Sequence, residues 1–236
     1  MEQKLTELTA RLKATFGDRL VSAILYGSAA AGDWNQRASD LNILCVLSRV
    51  SSRELRESEP IFHWWREQGN PPPLLMSEAE VRDSTDCFPM EFRDMQAFRR
   101  TLTGSDIIAG ITVDRSFYRA QVEHELRSKL LRLRQKAAET LSRPEGLAAL
   151  LADSVSTFCV LGRHSLLLQG REVRWAKQDV VADMEKVLAI RFDAFKTVLT
   201  IRAEGKVSAD FDTVLLFEKY IREIEALITF VDQIDK

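Results

Sequence analysis

The sequence predicts an α+β protein, a mixed sheet with flanking helices followed by an all-helical bundle. Three observations predict it. Residues 1–112 alternate short, nearly continuous apolar runs with helical patterns, as strands buried among helices do. From Arg115 onward the apolar residues recur at about 3.6 positions, the period of a helix. Finally, 10 Gly and 6 Pro in 236 residues leave few turns, so the helices must be long. The best boundary is the stretch Gly104–Asp114, giving domains over 1–112 and 113–236.

The elements follow in order. A first amphipathic helix spans residues 2–16, and Gly17-Asp18 ends it. LVSAILYG, residues 20–27, is a strand, and DLNILCVL, residues 40–47, is a second; GSAAAGD and the polar WNQRAS connect them. Residues 52–68 form a helix carrying Ile61, Trp64 and Trp65, which Asn70 and three prolines break. Residues 74–76 make a short strand, and Ser77 caps a brief helix from Glu78. FPMEFRDM, residues 88–95, is read as a third sheet segment whose downstream edge is compatible with helix. Then comes a long helix from Arg115, closed by Ser142–Gly146, and further helices at about 147–169, 177–190, 192–204 and 209–234, an antiparallel bundle.

Composition narrows the function. With 45% hydrophobic and 29% charged residues the chain can bury a real core. A net charge of −2 argues against a dedicated nucleic-acid binder, which needs a basic excess to neutralise phosphates. Cys45, Cys87 and Cys159 are odd in number and scattered, so neither a disulfide framework nor a cysteine zinc site is expected, and a reducing cytoplasm is. The charged N-terminal helix does not read as a signal sequence. The apolar stretch Ala148–Leu168 contains Asp153, Arg163 and His164, so a buried bundle helix is expected there rather than a membrane span.

One segment carries chemistry, LYGSAAAGDWNQRASDLNILCVL. An apolar strand ends in Gly27-Ser28, and a second strand opens with Asp40-Leu41-Asn42. Strand alternation puts Asp40 and Asn42 on one face and Leu41 on the other. Backbone N–H groups and a hydroxyl at the Gly-Ser turn suit a phosphate tail.

This arrangement resembles the nucleotidyltransferase superfamily, the group of DNA polymerase β, kanamycin nucleotidyltransferase and the streptomycin adenylyltransferases. Its pattern is a strand ending in Gly-Ser, about ten residues, then Asp-x-Asp on the next strand and a third carboxylate on a neighbouring one. Gly27, Ser28, Ser39 and Asp40 match. PMEFRDM is similar to the strand that supplies the third acid, which points to Glu91. Read as a strand, it sets Glu91, Arg93 and Met95 on one face and Asp94 on the other, making Asp94 the second choice.

The resemblance implies an α+β nucleotidyltransferase-like sheet domain with catalytic Asp40 and Glu91. It implies Mg²⁺ held by Asp40, Asn42 and Glu91, and a nucleoside triphosphate held by Gly27, Ser28 and Ser39. The reaction would pass a nucleoside monophosphate to a hydroxyl of a small molecule or protein, by in-line displacement with metal-neutralised charge. Asn42 departs from the pattern: an amide oxygen can ligate Mg²⁺ but brings no charge, so metal binding weakens or comes to depend on metal delivered with the nucleotide. The alternative is a catalytically degenerate nucleotide-binding or partner-binding regulatory module, with a homodimer or a partner seated on the helical half.

Other residues have bland and functional readings. Lys129, Arg132 and Lys136 share a helix face, either solvated or reaching phosphates; Lys129, one turn from Glu125, is the first choice for a phosphate contact. His63, His124 and His164 lack metal-ligand spacing, and His164 reads as a satisfied core histidine. Trp34, between Ser28 and Asp40, suits stacking on a base or acceptor, or an apolar plug. Arg99 and Arg100 either orient Glu91 or are surface charges.

Overall fold

Leu5, Leu8, Leu12 and Phe16 form one apolar stripe along helix α1, Glu2–Phe16, which stops at Gly17 with a φ of 52°. Such left-handed backbone suits glycine. The structure is a computed structural model that describes residues 1–31, 41–205 and 211–234. The chain divides into two compact units, Met1–Ser116 and Phe117–Lys236.

In the first unit α1 leads through a short 3₁₀ turn to β1, Leu20–Tyr26, and after the connection comes β2, Asn42–Leu47. Helix α2 spans Ser52–Glu67, β3 Leu74–Ser77, α3 Glu78–Asp83, α4 Pro89–Ala97 and β4 Arg99–Gly104. The strands pair in the order β3-β2-β1-β4. β1 is antiparallel to both β2 and β4, while β2 and β3 are parallel, so the sheet is mixed.

Both faces of the sheet are covered, which is why β1 and β2 read as continuous apolar runs. Ala23, Leu25, Ile43, Cys45 and Leu47 pack against the stripe of α1 and against Ile61 and Trp65 of α2. Ile24, Leu44 and Val46 pack on the other side with Met76, Val81, Phe92, Met95 and Ile108. Ser51 and Glu54 form a reciprocal capping box that starts α2, and Ser77 and Glu80 do the same for α3.

The segment 88–95 corrects the sequence expectation, because it is helix rather than sheet. Pro89 sits in the first turn, where its missing N–H costs nothing. Phe92 and Met95, three apart, turn together into the core. The strand that completes the sheet is the polar RRTLTG just downstream.

The second unit holds α5, Tyr118–Thr140; α6, Pro144–Leu168; α7, Lys177–Leu188; α8, Asp193–Glu204; and α9, Thr213–Asp232. α6 packs against the other four. By length and composition alone α6 could cross a membrane, with a mean hydropathy of 1.3, but in this fold it is the bundle's central helix. Phe158, Tyr220, Phe195 and Phe192 form a chain of ring contacts through the core. His164 is fully buried, and its Nδ1 lies 2.6 Å from the Tyr118 hydroxyl, so it is a core histidine with a partner.

Candidate functional site

The site is built where β1 runs out. Tyr26, its last residue, faces Asn42 on β2 and Arg99 on β4. Gly27 follows with a φ of 79°, and its N–H donates to the Phe98 carbonyl at 3.3 Å. The Gly27 carbonyl then accepts from Ala30 and Ala31, each at 3.0 Å, which closes a tight turn. Among the described residues the N–H groups of Ser28 and Ala29 take part in no backbone hydrogen bond, so they are available to an anion.

Asn42 lies over this turn: a Cβ at Gly27 would stand 3.4 Å from its Nδ2. Its side chain shares the sheet face of Ile24, Leu44 and Tyr26, since alternate residues of β2 share a face. Ser39 and Asp40, and Trp34 with them, lie outside the described residues.

The helix α4 brings acids to the same end of the sheet. Glu91 and Asp94 are three apart, so on a helix they share a side, whereas the strand reading had set them on opposite faces. Glu91 is exposed and Asp94 half-buried. Burial pushes the Tyr26 phenol above its ordinary range, and the charges of Glu91 and Asp94 push it further. Tyr26 therefore stays protonated beside two carboxylates. Sequence reasoning overlooked it, although it directly precedes Gly27.

Arg99 pairs with Asp106. Its Nε donates to both carboxylate oxygens of Asp106, at 2.8 and 3.0 Å, and its Nη1 to the Gln96 carbonyl, pinning the end of α4 to β4. That guanidinium holds the Asp106 carboxyl below its usual range. Arg100 forks onto Glu2 at 3.0 Å for each bond. Lys129 belongs to the second unit, on α5, where it pairs with Glu125 at 3.2 Å.

The donor set tests whether a resident metal fits. β1, β2, β3 and β4 carry no carboxylate. Among the described residues no three His, Cys, Asp or Glu side chains gather as a metal cage. Asn42 offers a neutral oxygen. Asp40, the carboxylate expected beside Asn42 in the metal set, lies outside the described residues.

The described fold is thus a mixed sheet whose β1 ends in a Gly-Ser turn, followed by a helical bundle. Among solved structures the chain is similar to spectinomycin adenyltransferase AAD(9) from Enterococcus faecialis, crystallised with ATP and spectinomycin. The TM-score is 0.64 at 11% sequence identity, over 99% of this chain and 100% of that one. No family model and no curated protein matches the sequence. At this identity the likeness is one of fold.

Proposed function

We propose that this chain binds a nucleoside triphosphate as its Mg²⁺ complex and transfers the nucleoside monophosphate to a hydroxyl of a small molecule. The observation that carries the reading is the convergence of the Gly27-Ser28 turn, Asn42 and the acids of α4 at one end of the sheet. The turn's N–H groups and the Ser28 hydroxyl hold phosphate oxygens, Asp40 and Asn42 face the α-phosphate, and Glu91 or Asp94 takes the acceptor's proton. The acceptor oxygen bonds to the α-phosphorus while the bond to the β-phosphate bridging oxygen breaks, releasing pyrophosphate. That the similar structure was solved with ATP and spectinomycin supports a small-molecule acceptor.

The test is the melting temperature with each of four nucleoside triphosphates, with and without Mg²⁺, for the native chain and for Asp40→Ala. A ligand at a hundred times its dissociation constant adds about 2.7 kcal/mol. For a chain of this size that raises the midpoint by roughly 5–10 °C. A Mg²⁺-dependent rise for one nucleotide, lost in Asp40→Ala, supports the reading, and a flat panel overturns it.

A second reading is a regulatory nucleotide-binding module without transfer. The neutral Asn42, standing where the pattern has a second carboxylate, favours it. Nucleotide binding with no pyrophosphate release for any acceptor hydroxyl selects this reading over the first.

A further inference from the structure

Helix α5 treats its cations unequally. Arg119 and Arg127 donate to Glu123 at 2.9 and 2.8 Å, and Arg134 pairs with Glu225 of α9. Lys129, Arg132 and Lys136 instead line a groove of about 220 Å³ against α6, over a floor that includes the buried Leu133 and Phe158. Lys129 has Glu125, but Arg132 and Lys136 form no ion pair among the described residues. Asp153 is the carboxylate in the lining and Glu125 pairs with Lys129 from outside it, so three cations meet two acids.

Like charges three and four apart on a helix repel one another, a cost that an anion held between them removes. A guanidinium presents a fork that matches phosphate, and ammonium groups add point charges beside it. The apolar floor screens one side from water, which strengthens both.

We propose that this groove is an anion site of the second unit that takes the phosphate of a phosphorylated small molecule. That phosphate comes either from the tail of a nucleoside triphosphate or from a separate phosphorylated ligand. The inference does not rest on nucleotidyl transfer.

The test is calorimetric titration of sodium tripolyphosphate, and separately of ATP, into the whole chain at constant ionic strength. Arg132→Glu/Lys136→Glu should weaken tripolyphosphate binding by about tenfold or more, the loss of charge-assisted hydrogen bonds. Lys186→Glu/Lys219→Glu, with the same charge change on exposed positions of α7 and α9, should stay within about twofold. Arg132→Gln/Lys136→Gln repeats the test without charge reversal, and matching melting curves show that each variant folds.

Gly27→Val, which disturbs the turn that the proposed function assigns to nucleotide phosphates, removes any share of that turn in the titration and should leave a saturable tripolyphosphate site that the groove variant weakens. If the groove variant also weakens ATP, the nucleotide tail is the source; if ATP falls only in Gly27→Val, the ligand is a separate phosphorylated molecule. Equal losses in the groove and control variants, or no saturable tripolyphosphate binding left in Gly27→Val, each overturns the proposal.

Discussion

Glu223 on α9 should make the bundle lose stability as pH rises through neutrality. Its carboxylate accepts the N–H groups of Ala194 and Phe195, at 2.8 and 2.9 Å, where α8 begins. Burial pushes this carboxyl from an ordinary 4.5 up to about 7, against the pull of those two bonds. Asp193 and Glu185 nearby act in the same upward direction. A raised acid binds its proton more tightly in the folded chain, so its contribution is full below the unfolded value and disappears as pH rises through the folded one. For a fully enclosed group the displacement would be worth about 3.4 kcal/mol. Water reaches part of this side chain and screens it, leaving about 1–2 kcal/mol.

Glu223→Gln keeps one carbonyl acceptor and never ionises. Urea unfolding of both proteins between about pH 5 and about pH 8 should show the native chain losing about 1–2 kcal/mol relative to the variant. The arginines hold Asp106 and Asp183 below their usual range, so their contributions are lost only as pH falls, below this window. The difference between the two proteins cancels what remains. A difference that is flat across the window, or that grows in favour of the native chain, refutes the reasoning.

Three further outcomes are expected. Gly104→Ala would set a Cβ 2.0 Å from the Val21 carbonyl oxygen at a φ of 78°. Denaturant unfolding should register a loss of more than about 3 kcal/mol, and a loss near zero would mean that the β1–β4 pairing is different. Tyr118→Phe removes the buried hydrogen bond to His164 and should cost about 1–3 kcal/mol by thermal unfolding. Asn42→Asp should leave the unfolding free energy of the free protein within about 0.5 kcal/mol of native while making nucleotide binding more Mg²⁺-dependent, read by calorimetry with and without the metal.

β1 and β2 could be read from sequence because both of their faces are buried, which leaves a continuous apolar signature. The bundle could be read because long helices repeat their period many times. β4 could not: RRTLTG is an edge strand carrying two arginines, and its place in the sheet depends on pairing with β1. Phe88, Met90 and Phe92 alternate as a strand would, so FPMEFRDM was open to misreading, and Phe92–Met95 spacing with Pro89 in the first turn decided for helix. That one misassignment also misplaced Asp94, which joins Glu91 beside Tyr26. The relation of Asp40 to Asn42 rests on strand alternation alone, since residues 32–40 are outside those described.

The fold and the chemistry are set by different residues, and this explains how one can persist while the other changes. The sheet is held by side chains such as Ile24, Leu44 and Val46, all fully buried. Asn42 sits at the strand's first position, half-exposed, where exchanging an amide for a carboxylate leaves the core packing untouched. A likeness of fold at 11% identity is therefore blind to the charge at that position. What the site can do turns on a few groups around Gly27: a neutral Asn42 lowers the demand for a resident cation, while Glu91 and Asp94 on α4 keep negative charge within reach of Tyr26. Under the proposed function, transfer requires Glu91 or Asp94 to take the acceptor's proton, and simple nucleotide binding does not. Glu91→Gln, at an exposed position of α4, and Asp94→Asn, at a half-buried one, separate the two: loss of pyrophosphate release with nucleotide binding kept supports transfer.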